Sequence, residues 1–130
     1  MTELKTMFLT IITETLKNKV EVEQLGEVVK NELGKDWEIE KIEPYNKFKD
    51  SYKIELKTNF TAKDQNELNN LAIVLTDKLV SPWLVYFDHY ENNIELIYNN
   101  ANNTQKRKPA FENIKWAHLQ IATTISSTEL

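Results

Sequence analysis

The sequence predicts an α+β fold: two N-terminal helices, then β-β-α-β-β-β, forming a mostly antiparallel five-stranded sheet with the helices packed on one face. Three observations carry that expectation. Apolar residues recur at helical spacing in three segments. They alternate with polar residues in several others, which is the mark of half-buried strands. Apolar residues make up 41% of the chain and charged residues 28%, so a core can form without disulfides or metals.

Leu4, Met7, Phe8, Ile11, Ile12 and Leu16 follow the i, i+3, i+4 stripe of an amphipathic helix, with Thr2 as its N-cap. Such a stripe packs on a core. Its polar face holds Thr and Glu rather than Lys and Arg, which argues against a membrane-surface helix. Val22, Leu25, Val28, Val29 and Leu33 repeat the period, and Gly34 stands where a C′ glycine belongs. A second helix is therefore expected over residues 22–33, parted from the first near residues 18–20.

Two strands follow. Trp37 and Ile39 alternate with Glu38 and Glu40 up to Pro44, and Tyr52, Ile54, Leu56, Thr58 and Phe60 form a longer run. Residues 44–50 make the hairpin loop. Ile42 is out of phase with Trp37 and Ile39, so a bulge or a twist is expected there. Leu68, Leu71, Ala72, Leu75 and Leu79 mark a third helix, capped by Asp64 with Glu67 three residues on and closed by Ser81-Pro82. Ile73, Val74 and Val80 widen its stripe, so it is expected to be the most buried helix.

Residues 83–87 are a continuous apolar run, the pattern of a central strand covered on both faces. Asn92-Asn93 makes a turn into the strand of Ile94, Leu96 and Tyr98. Residues 99–110 form a polar loop with Lys106-Arg107-Lys108, and residues 114–121 form the last strand. The chain reads as one domain over residues 1–122 with a tail at 123–130.

Reactive chemistry is sparse. There is no cysteine, so disulfides, thiolate nucleophiles and cysteine zinc sites are excluded. Glycine-rich phosphate loops, G-x-S-x-G and H-E-x-x-H are absent. Asp88, His89 and Glu91 are close in sequence, but strand alternation sends Asp88 and His89 to opposite faces. His89 and His118 with Lys115 would form an acid–base set only if their strands were neighbours. The basic triplet at 106–108 could touch phosphate, but the chain is acidic overall and the triplet lacks interleaved aromatics. Neither a signal peptide nor a membrane span is evident, so a cytoplasmic protein without cofactor, metal, nucleic acid or membrane partner is expected.

Charge supplies the one asymmetry. Residues 21–43 hold eight acidic side chains (Glu21, Glu23, Glu27, Glu32, Asp36, Glu38, Glu40, Glu43) against Lys30, Lys35 and Lys41, in a chain whose net charge is only −4. A solvated face kept for solubility is the plainer reading of such a run. The alternative is a surface that steers a basic protein. On that reading the docking residues are Asp36, Glu38, Glu40 and Glu43 with the adjacent aromatics Tyr45, Phe48 and Tyr52. The expected function is a small immunity-type or antitoxin-type inhibitor that binds a basic toxin, such as a nuclease, stoichiometrically and without catalysis. A dimerising chaperone or adaptor for a secreted protein is the alternative, and a histidine-dependent RNA-cleaving enzyme a third reading.

Overall fold

In the computed structural model, which describes residues 3–88, 93–102 and 109–123, the element order is β1 (Glu3–Thr13), α1 (Lys19–Leu33), β2 (Glu38–Pro44), β3 (Tyr52–Ala62), α2 (Gln65–Asp77), β4 (Leu84–Asp88), β5 (Asn93–Asn99) and β6 (Ile114–Thr123). The strands form one sheet in the order β2-β3-β1-β6-β5-β4, antiparallel at every junction. The α+β class and the antiparallel sheet stand. The sheet has six strands rather than five, and a strand replaces the expected first helix.

The first element is therefore a correction. In β1, Met7, Leu9 and Ile11 are buried on the helix-covered side, while Leu4 and Phe8 are exposed on the other. A strand with apolar groups on both faces reproduces i, i+3, i+4 coincidences by accident. Composition decides: Thr6, Thr10, Ile11, Ile12 and Thr13 are β-branched, which favours an extended backbone. β1 lies inside the sheet, pairing with β3 through Leu9↔Leu56 and with β6 through Leu9↔Leu119.

The core lies between the sheet and the two helices. Ile54 and Leu56 of β3, Ile94, Leu96 and Tyr98 of β5, and Ala117, Leu119 and Ile121 of β6 join Met7, Leu9 and Ile11 there. From α1, Val22, Leu25, Val29 and Leu33 face them. Asn18 caps that helix by accepting from the Glu21 N–H at 3.0 Å, and Gly34 ends it at φ 136°, a conformation that excludes most side chains. Gly26 lets the helix approach β2 closely: a methyl group there would stand 3.3 Å from Ile39 Cδ1. Of the bulge or twist expected near Ile42, the strand shows a bulge, as a register shift between Ile39 and Lys41. It turns both Ile39 and Ile42 towards the core.

α2 is capped by Asp64, which accepts from the Glu67 N–H at 2.9 Å. It buries Leu68, Ala72 and Thr76. It is not the most buried helix, because Ile73 and Val74 are exposed. The Trp83 indole N–H then donates to the carbonyls of Thr76 and Val80, at 3.1 and 2.8 Å, fastening the entry to β4. β4 is a second correction. It lies at the sheet edge and not at the centre, and Leu84, Val85 and Tyr86 are all exposed. The Asn92-Asn93 turn, the triplet at 106–108 and the tail expected at 123–130 lie outside the described residues, apart from Asn93, which begins β5, and Thr123, which ends β6.

Candidate functional site

The helices cover one face of the sheet, so the other face is where side chains are available. Its β2–β3 end is a ladder of opposite charges. Register places Glu38 opposite Lys57, Lys41 opposite Glu55 and Glu43 opposite Lys53. Lys57 Nζ lies 2.5 Å from Glu40, Lys41 lies 3.2 Å from Glu43, and Lys53 lies 3.4 Å from Glu43 and 3.5 Å from Glu55. The hydrogen bond from Lys41, helped by Lys53, holds the Glu43 carboxyl below the usual carboxylate value. Glu40 raises Lys57, and Glu43 raises Lys53. Glu40 and Glu43 thus carry lysine partners that sequence position alone does not reveal.

The acidic tract is also divided. Glu21, Glu23 and Glu27 are exposed on α1, in the helix layer, on the opposite side of the sheet from the ladder. Asp36 lies in the turn between α1 and β2, where its carbonyl accepts from Thr58 Oγ1 at 3.0 Å. Of the three expected aromatics, Tyr52 turns to the core side and is half-buried against it. Tyr45 and Phe48 remain at the surface, on the hairpin loop.

That loop is fastened at several points. Ser51 Oγ donates to the Thr13 carbonyl, and the Tyr52 N–H donates to Thr13 Oγ1 at 3.0 Å. The Leu16 N–H donates to the Asp50 carbonyl at 3.2 Å and the Tyr45 N–H to the Ser51 carbonyl at 2.9 Å. The loop is thereby tied to the end of β1. Phe48 packs against Tyr45 with ring centroids 5.9 Å apart, and Lys115 Nζ sits 5.0 Å from the Phe48 centroid. Lys115 is itself 3.8 Å from Glu14. Ile12, Tyr45, Phe48, Asn99, Lys115 and Trp116 line a cleft of about 230 Å³. Phe48 is 48% exposed, so the fold draws on only half of its apolar surface. Trp116 is the member of this corner that sequence reasoning missed, and Lys115 was singled out there only beside the histidines. Their one signal was their place in an alternating final strand beside His118.

His118 occupies the middle of the same face. Its Nε2 contacts the Glu95 carboxylate, its Nδ1 lies 3.1 Å from the Gln120 amide, and Trp116 packs 5.6 Å away. Both ring nitrogens thus have side-chain partners. β5 separates β6 from β4, so His118 is not on a strand adjacent to the one that leads to His89, a residue outside those described. Among the described residues no group of three or more His, Asp or Glu could hold a metal ion, and no helix is long and apolar enough to cross a membrane.

Comparison with known proteins adds no relative: no family model matches the chain, and searches of curated proteins and of solved structures find no significant match.

Proposed function

We propose that the chain is a non-catalytic module that binds a partner protein through the corner formed by Tyr45, Phe48 and Trp116. The observation that supports this most is the half-exposed Phe48 ring, held over a cleft by Tyr45 and the Lys115 ammonium on a loop tied down at Thr13. Rigid aromatic side chains at the surface lose little conformational entropy on docking and make effective anchors. A cleft of about 230 Å³ suits a single apolar side chain of the partner. The lysine–glutamate ladder beside it is a polar rim, of the kind that surrounds a hydrophobic centre.

Stoichiometric inhibition of a toxin-like protein in the cytoplasm is the form of this function put forward here. The net charge of −4 favours encounter with a basic partner. The recognition itself is assigned to the aromatics, because Glu40 and Glu43 already have lysine partners. The chaperone reading draws on Leu4, Phe8 and Tyr86, further exposed apolar groups on the helix-free face. The test is affinity purification of the tagged full-length chain from its native host, with Phe48→Ala in parallel. The expected result is one protein recovered at 1:1 stoichiometry with the wild type and lost with Phe48→Ala. Equal recovery with both chains would remove the aromatic corner from the account.

A further inference from the structure

The two edges of the sheet are built differently. β2 carries four charged residues in seven, a bulge after Ile39 and a terminal proline, Pro44. Each of these discourages another strand from pairing with an exposed edge. β4, Leu84-Val85-Tyr86-Phe87-Asp88, has one charge, no proline and an unshifted register with β5. Leu84, Val85 and Tyr86 are 57%, 50% and 52% exposed, so side chains on both faces of this edge are open. Folding of one chain gains little from three consecutive large apolar groups left in that state, and such an edge is a template for another strand.

We propose that the strand it takes is β4 of a second copy, paired antiparallel about a two-fold axis through Tyr86, so that two six-stranded sheets join into one. Two features favour this occupant. A two-fold axis perpendicular to the sheet keeps both helix layers on the same face, and strand alternation then requires a residue to stand opposite itself. Centring on Tyr86 uses all five residues of β4: Tyr86 meets Tyr86, and Val85 meets Phe87 on the helix side, aromatic and β-branched pairs of the favourable kind. Symmetry selects the direction: a same-face parallel pair in register is generated by translation, which leaves an open array, whereas the antiparallel pair closes into a dimer.

The pairing does not depend on the aromatic corner, and the experiment keeps the two apart. Sedimentation equilibrium of the purified full-length chain across the micromolar range should give twice the 15.3 kDa chain mass. Tyr86→Lys and Val85→Lys, both at exposed positions, should be folded monomers by circular dichroism and sedimentation. Val28→Lys on α1, another exposed valine, and Phe48→Ala should remain dimers. Because the chain has no cysteine, Tyr86→Cys should cross-link to itself on oxidation and Leu84→Cys should not. A monomeric wild type, or a dimer that survives both lysine substitutions, overturns the proposal. Equal cross-linking at both cysteine positions, or at neither, overturns the register.

Discussion

Replacing Phe48 by alanine separates a side chain kept for docking from one kept for folding. Complete burial of a phenylalanine stabilises by roughly 1.5–3 kcal/mol. Phe48 is 48% exposed, so about half of that, roughly 1 kcal/mol, is at stake. The Lys115 ammonium, 5.0 Å from the ring centroid, adds about 0.5–1 kcal/mol at an exposed site. The expected loss is therefore about 1.5–2 kcal/mol. Phe111 gives the matched control. It is 2% exposed within the core, and its replacement by alanine should cost about 3–5 kcal/mol. Urea denaturation measures both, through midpoint shifts at a common slope. If Phe48→Ala destabilises as much as Phe111→Ala, the ring is a core residue, and its use as a docking anchor loses its physical basis.

Other positions give independent checks. Thr13→Val removes the acceptor of the Tyr52 N–H, and the lost bond should lower stability by about 1–3 kcal/mol and loosen the hairpin loop in amide exchange. Gly26→Leu drives a side chain into Ile39 and Ile42, and thermal denaturation should report a loss of about 1–3 kcal/mol. Gly34→Ala meets no neighbour, so any loss, about 1–3 kcal/mol, comes from its φ of 136° alone. For pH, the lowered Glu43 group contributes stability above the ordinary carboxylate value, lost as pH falls through its depressed folded value. The raised Lys57 group contributes below the ordinary lysine value, lost as pH rises through its elevated folded value. NMR titration should accordingly find Glu43 protonating at lower pH than a free glutamate, and Lys41→Ala should move it back towards the ordinary value.

The helices after residue 18, the β2–β3 hairpin with its bulge, β5 and β6 were legible because each has a single covered face and clear end signals. β1 was not. A strand inside the sheet, with helices on one side and the hairpin loop over Ile12 on the other, places apolar groups at both parities and so mimics a helical stripe. The Thr- and Ile-rich composition was the better guide. β4 failed for a related reason: a continuous apolar run reads alike for a strand buried at the centre and for an edge left open. In the candidate site, Tyr45 and Phe48 could be seen as surface aromatics of a loop. Trp116 and Lys115 join them only through β1–β6 pairing, which no local pattern encodes. The lysines that meet Glu40 and Glu43 likewise arrive by cross-strand register, so a count of charges along the chain overstated the acidity of that surface.

Salt dependence of the complex tests the aromatic account most directly, because charge and apolar contact respond to it differently. With the co-purified partner in hand, calorimetric titration at low and high salt should change Kd by less than about threefold, since paired surface charges are already compensated. Phe48→Ala should weaken binding by about 2 kcal/mol, roughly thirtyfold, at either salt concentration. A Kd that climbs by orders of magnitude with salt while Phe48→Ala binds as tightly as the wild type would hand recognition back to the carboxylates.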